Sequence, residues 1–160
     1  MVQTTLIGKI LLWVLYATIT VAVFATVIIV VSPKDTVSEV VIAGERLNVV
    51  VADTPALQEK GLSGRTSLKP NDGMLFIFPE PGFYGFWMKG MKIPIDIIWL
   101  NSERRIVDVW ENATPDSYPR AYVSRAEAKY VLEVPSGFSS KYSLKEGDVL
   151  ETESSSGYTR

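Results

Sequence analysis

Between Ile10 and Val31 the chain reads ILLWVLYATITVAVFATVIIVV, 22 residues without a charge, a Gly or a Pro. No other feature limits the fold so strongly. As a helix the run is ~33 Å long at ~1.5 Å per residue, enough to cross a hydrocarbon layer of ~30 Å. Its three Thr can bond back to helix carbonyls, and Trp13 and Tyr16 suit an interface. A cleaved signal peptide has a shorter apolar core of ~7–15 residues and ends in small residues. Here the run ends VIIVVSPKD. The expectation is therefore an uncleaved single-pass anchor over residues 10–32, after a short segment 1–9. The Lys and Arg balance across the run hardly orients it, and a short leading segment favours an extracytoplasmic C-terminal part. The expected location is the cell membrane, with the membrane itself as a partner of the chain.

All 18 acids and all but one of the 16 Lys and Arg lie after the run, so the remainder carries a formal charge of −3. No basic block stands out, which argues against nucleic acid as a partner. The chain has no Cys and no His. Disulfides, thiolate nucleophiles, Ser–His triads and His-bound zinc are thereby excluded. Catalysis would fall to Asp, Glu, Lys, Tyr or Ser, and no cofactor or metal is implied.

Pro33 ends the apolar run and opens a polar linker, residues 33–39. A soluble domain over residues 40–151 and a disordered Ser-rich tail over 152–160 follow. EVVIAGERLNVVVAD reads as a hairpin around Ala43-Gly44-Glu45. In DTPALQEKG, Thr54 can cap a two-turn helix, Pro55 fits its first position and Gly61 follows its end, with Leu57 and Leu62 turned inward. GMLFIFPEPG, FYGFWM, IPIDIIWL, RIVDVWENA and AKYVLEVPSG read as strands, and TPDSYPRAYVS as a loop. SGFSSKYSLKEGDVLE reads as a helical turn and a last strand. Seven or eight short strands with one or two short helices predict a mostly β (α+β) domain, a compact antiparallel barrel or sandwich.

Five pieces in this order, VADTPALQEKGLSGRTSL, DGMLFIFPEPG, FWMK, IPIDIIWL and YVLEVPSG, resemble the family catalogued as domain of unknown function 192, small secreted, periplasmic or membrane-anchored proteins. The resemblance covers about Leu47 to Glu151. The family typically reads W-M-K-N-T-x-I-P-L-D; Trp87, Met88, Lys89, Ile93, Pro94 and Asp96 match it, and Gly90-Met91 replaces Asn-Thr. The resemblance implies a compact β-rich fold and no reaction.

Asp96 stands among Ile93, Ile95, Ile97 and Ile98, in a strand expected to be buried. A lone buried carboxylate must be hydrogen-bonded or paired. It is read first as a structural anchor and second as a binding or catalytic acid. Arg65 is the candidate partner for Asp96 or Asp72, because its fork can meet a carboxylate at two points. Asp72, before Gly73, is read first as turn chemistry. Glu133 alternates with apolar neighbours and is expected to face solvent. The aromatic stretch GFYGFWMKGMK cannot turn all its rings inward, so Tyr84, Trp87 and Lys89, with Met88 beside them, form a candidate rim for a glycan or peptide. The function expected is a membrane-anchored extracytoplasmic module that binds without catalysis or serves the envelope. The alternative is a carboxylate-dependent hydrolase using Asp96 with Asp72 or Glu133.

Overall fold

The computed structural model describes residues 8, 13–16 and 36–152. The chain divides into two units, Met1–Lys34 and Asp35–Arg160. In the first unit Trp13–Tyr16 are helical. Among the described residues no helix is long and apolar enough to cross a membrane. Apart from residues 13–16, the anchor expected over 10–32 lies outside the described residues, as does the tail beyond Thr152.

The second unit is built on a seven-stranded sheet. Its strands are β1 (Thr36–Ile42), β2 (Glu45–Ala52), β3 (Asp72–Gly82), β5 (Ile95–Leu100), β6 (Ile106–Ala113), β8 (Ala128–Pro135) and β9 (Leu150–Thr152). Their order across the sheet is β6-β5-β8-β3-β2-β1-β9. All neighbours are antiparallel except β2 and β3. That parallel pair needs a crossover, which helix α1 (Pro55–Lys60) and the loop after it supply. Residues 36–39, assigned to the linker from sequence, pair with β2 as the start of β1.

The β1–β2 turn puts Ala43 at φ 51° and Gly44 at φ 81°. Two positive φ values in a two-residue turn match the right-handed twist of the flanking strands. Helix α1 begins where Thr54 Oγ1 accepts the Leu57 N–H and ends at Gly61, φ 50°. Gln58 fastens it by donating to the carbonyls of Ala52 and Ile77. Leu57 and Leu62 are buried, 6% and 1% exposed.

The two edges of the sheet meet. Arg105 bridges Val149, the Ile106 N–H donates to Asp148 O, and the Leu150 N–H donates to Arg104 O. The sheet thus curls toward a barrel. One face holds Val40, Leu47, Val49, Leu75, Ile98, Leu132 and Leu150, with Phe138 of a short helix, α2 (Phe138–Lys141), packed against it. The opposite face carries Met74, Phe76, Ile97, Trp99 and Val131. The central strands are buried on both sides, and every residue of β5 is buried.

The second face is covered by α1 and by a separate two-stranded sheet, β4 (Gly85–Trp87) with β7 (Ala121–Val123). Strand β7 and the 3-10 turn Pro115–Ser117 lie inside the segment read from sequence as a loop. A strand of three residues offers too few alternations to be recognised. Two motif loops are stitched together beside this cover. Ser63 Oγ donates to Lys89 O at 2.9 Å, and the Gly64 N–H donates to Gly90 O at 2.9 Å.

Candidate functional site

The side of the sheet on which each acid lies is set by strand register. Directly opposite residues of an antiparallel pair share a face, and successive residues alternate. Asp96 is opposite Val134, whereas Ile97 is opposite Glu133. Asp96 therefore faces the curled interior and Glu133 faces the side under α1 and β4. Met74, also opposite Glu133, sets the same face for Asp72 two residues before it.

Asp96 is fully buried and its oxygens are engaged by main-chain donors. Oδ1 accepts the N–H of Asn112 at 2.9 Å and of Gly137 at 3.1 Å; Oδ2 accepts the N–H of Ser139 at 2.8 Å. The carboxylate ties β5 to β6 and to the start of α2. Arg65, expected to pair with Asp96 or Asp72, does neither: it is exposed in the loop after α1. Backbone amides satisfy Asp96 without adding a second buried charge, which avoids a further desolvation cost.

Glu133 also departs from expectation. Rather than facing solvent it is 6% exposed, and Oε2 has no hydrogen-bond partner among the described residues. Burial pushes its carboxyl up to about 8, with no charged group contributing. Loss of hydration disfavours the charged form of a carboxyl, and nothing here compensates. The signal was present in the sequence. Val131, Leu132 and Val134 make β8 apolar on both faces, the mark of a central strand covered on both sides.

Glu133 lines a cavity of about 250 Å³. Helix α1 and its loop contribute Gln58, Glu59, Lys60, Leu62 and Ser63; β3 contributes Phe76 and Phe78; the aromatic stretch contributes Tyr84, Phe86, Trp87 and Met91. The rings brace one another. Phe76 and Phe86 meet edge to face at 4.8 Å between centroids, and Phe78 stacks on Tyr84 at 3.6 Å. Tyr84 is held by its hydroxyl, which donates to Glu80 O at 2.6 Å, and by its carbonyl, which accepts the Trp99 Nε1–H at 3.3 Å. Ring packing and these two hydrogen bonds together fix the ring orientations.

The aromatic stretch alternates as a strand must. Phe86 and Met88 are buried, while Phe83 and Trp87 are 61% and 54% exposed. Trp87 touches Tyr118 edge to face, and Lys89 Nζ lies 5.5 Å from the Trp87 ring centroid. Of the candidates, Tyr84 and Trp87 reach the cavity, Lys89 lies outside it against Trp87, and Met88 is packed as core. Arg65 lines a neighbouring hollow of about 290 Å³ with Leu57, Lys60, Gly61, Ser63 and Met74. Asp72 is half-buried at the start of β3, where its N–H closes a turn by donating to Lys69 O. Asp96 is on the other side of the sheet.

A third buried acid is structural. Asp108 accepts the N–H of Val109 and Arg125 and the Arg125 guanidinium, at 2.8–3.1 Å. Burial acts to raise it, but the Arg125 hydrogen bonds and charge outweigh burial and leave it lowered. Among the described residues no three acids converge in a way that would hold a metal ion.

The model of the family described as domain of unknown function 192, uncharacterised ACR, matches residues 38–152. A UPF0127 protein of Pyrococcus furiosus is 33% identical over 108 residues, which are 66% of this chain and 87% of that protein. Two crystal structures share the fold. One, from Sinorhizobium meliloti and provisionally described as a transcription regulator, has a TM-score of 0.71 at 32% identity and covers 76% of this chain and 97% of its own. The other, a protein of unknown function from Novosphingobium aromaticivorans, has a TM-score of 0.69 at 31% identity and covers 72% of this chain and 84% of its own. With its family model matching residues 38–152, the chain belongs to the family of domain of unknown function 192.

Proposed function

We propose that residues 36–152 form a ligand-binding module without catalysis, tethered to the cell membrane by residues 10–32 and facing the extracytoplasmic side. Its ligand enters the cavity above Glu133. One observation carries the reading: a buried carboxyl with an oxygen that has no partner among the described residues lines an aromatic-walled cavity. A buried polar group without a partner costs stability. A sequence that keeps one beside a cavity is explained by a partner that arrives from outside.

The hydrolase alternative loses its geometry. Two catalytic carboxyls must flank one bond, roughly 5–9 Å apart in glycosidases. Asp96 faces away from Glu133 and Asp72 across the sheet, and its oxygens are engaged by three amides. The description attached to the Sinorhizobium structure would suggest nucleic acid. The net charge of −3 beyond the apolar run supports leaving nucleic acid out of the reading.

The test is a small-molecule screen by thermal shift and ligand-observed NMR on the full chain, beside a Met91→Trp variant that fills the cavity. Ligands that bind wild type and are lost in the variant support the reading. Ligands that bind both equally, or a screen with no cavity-dependent ligand, overturn it. C-terminal reporter fusions test the tether, and a signal only from a cytoplasm-active reporter rejects the extracytoplasmic placement.

A further inference from the structure

Resting on that reading, we propose that the cavity takes a small organic cation, a primary or alkylated ammonium group, with Glu133 as its counter-ion and the surrounding rings as its walls. Three features of the lining agree on the sign of charge. Among the described residues the Glu133 carboxyl is the buried polar group of the lining that has an oxygen without a partner. Five rings, those of Phe76, Phe78, Tyr84, Phe86 and Trp87, line the same space, and a ring face is the negative part of its quadrupole. The edge-to-face Phe76–Phe86 contact and the stacked Phe78–Tyr84 pair fix the planes of the rings that border the cavity, and an ammonium group is attracted to the face of such a ring.

Among the described residues no cation pairs with Glu133. Helix α1 brings Glu59 and Lys60 to the lining, both exposed; the aromatic stretch brings Tyr84, whose hydroxyl is engaged with Glu80 O. Strand β3 places Asp72 on the same face, and β5 opposes Glu133 with Ile97 alone. Lys89 is outside, against Trp87. Lys60 forms no ion pair with Glu133, and none of these charges contributes to the raised carboxyl. At about 250 Å³ the cavity is smaller than the ~300–1,000 Å³ of sites for drug-sized molecules. It fits a head group rather than an extended ligand.

Entry of the cation expels the Glu133 proton to solvent: the O–H bond breaks heterolytically and the carboxylate keeps the electron pair. Affinity for a permanent cation must therefore rise with pH until the free carboxyl is ionised. With that carboxyl at about 8, the rise is about tenfold per pH unit below that value and levels off above it. A neutral ligand that accepts a hydrogen bond from the protonated carboxyl would show the opposite slope.

The experiment is calorimetric titration of the full chain with choline, with its uncharged tert-butyl isostere, and with butylammonium, across about pH 6 to 9. Choline or butylammonium should bind at least tenfold more tightly than the isostere, with the rising pH profile. Glu133→Gln should lose both the preference and the slope, and unfolding measured in parallel shows that the variant is folded. If neither cation binds, or if either binds Glu133→Gln as well as wild type, the proposal is overturned. If the isostere binds as tightly as choline and Met91→Trp abolishes both, the cation proposal falls while the cavity remains a binding site.

Discussion

Replacing Glu133 by Gln should stabilise the protein, and by an amount that depends on pH. The native carboxyl ionises at about 8 against an ordinary value of 4.5. The folded state therefore holds the proton more tightly than the unfolded chain does. Stability is complete below the unfolded value and is lost as pH rises through the folded one, at ~1.4 kcal/mol per pH unit. Over the whole window the loss is on the order of 5 kcal/mol, a large part of the ~5–15 kcal/mol that holds a small domain folded. Gln keeps the shape and cannot ionise. The assay is urea unfolding of wild type and Glu133→Gln at about pH 5, 7 and 9, followed by tryptophan fluorescence, with buried Trp99 as a reporter. Other titrating groups cancel in the difference. The two proteins should be close near pH 5, with the variant ahead by several kcal/mol near pH 9. Parallel curves at all three pH values would refute the reasoning, because they would mean that Glu133 is hydrated or paired in the native state.

The remaining acids behave differently. Asp96→Asn exchanges one acceptor oxygen for a donor facing amides that also donate; it should cost on the order of 3 kcal/mol in the same assay, since hydrogen bonds to a charged group are worth ~1.5–3 kcal/mol each. Arg125→Ala removes the guanidinium hydrogen bonds and charge that help to keep Asp108 lowered, and leaves the backbone donors. The stability that Asp108 contributes is present above its unfolded value and lost as pH falls through the lower folded one, so the variant should lose less stability than wild type on titration toward about pH 3, starting from a lower plateau at pH 7. Gly73→Ala should destabilise by ~1–3 kcal/mol in urea unfolding, because a Cβ there would lie 2.7 Å from the Glu133 carbonyl oxygen, part of a backbone that cannot move aside.

The fold was legible where local chemistry and global packing ask for the same residues. Gly44 marks the turn because glycine takes a positive φ, here 81°, without a Cβ clash. Thr54, Pro55 and Gly61 mark both ends of α1 through a cap, a missing N–H and a left-handed exit. What sequence left out is non-local. The parallel pairing of β2 with β3 and the meeting of the sheet edges at Arg105–Val149 depend on contacts between distant segments. Strand β7 is held by its pairing with β4 rather than by its own three residues. The alternation in Phe83–Met88 was legible as alternation, and the structure adds which set points inward.

For the site, the same alternation was decisive and was weighed against the wrong neighbour. Asp96, an acid among four isoleucines, is buried, and three main-chain amides occupy its oxygens. Glu133 sits in a strand where its neighbours Val131, Leu132 and Val134 are apolar, yet no amide among the described residues is placed to meet its Oε2. The difference is positional. Asp96 lies near the end of β5, where α2 begins and free N–H groups are at hand. Glu133 lies mid-strand, where neighbouring amides are already committed to the ladder. A carboxyl there must find its partner above the sheet, where α1 and the aromatic stretch leave a cavity. The Gly90-Met91 pair fits this division. Gly90, at φ 70°, occupies the left-handed region that Asn, its counterpart in the family pattern, tolerates best among side-chain-bearing residues. The turn is therefore kept, while Met91 places an apolar, adaptable side chain against the cavity where the pattern has a hydroxyl. The exchange makes the lining less polar, and Glu133 correspondingly harder to ionise until a cation enters.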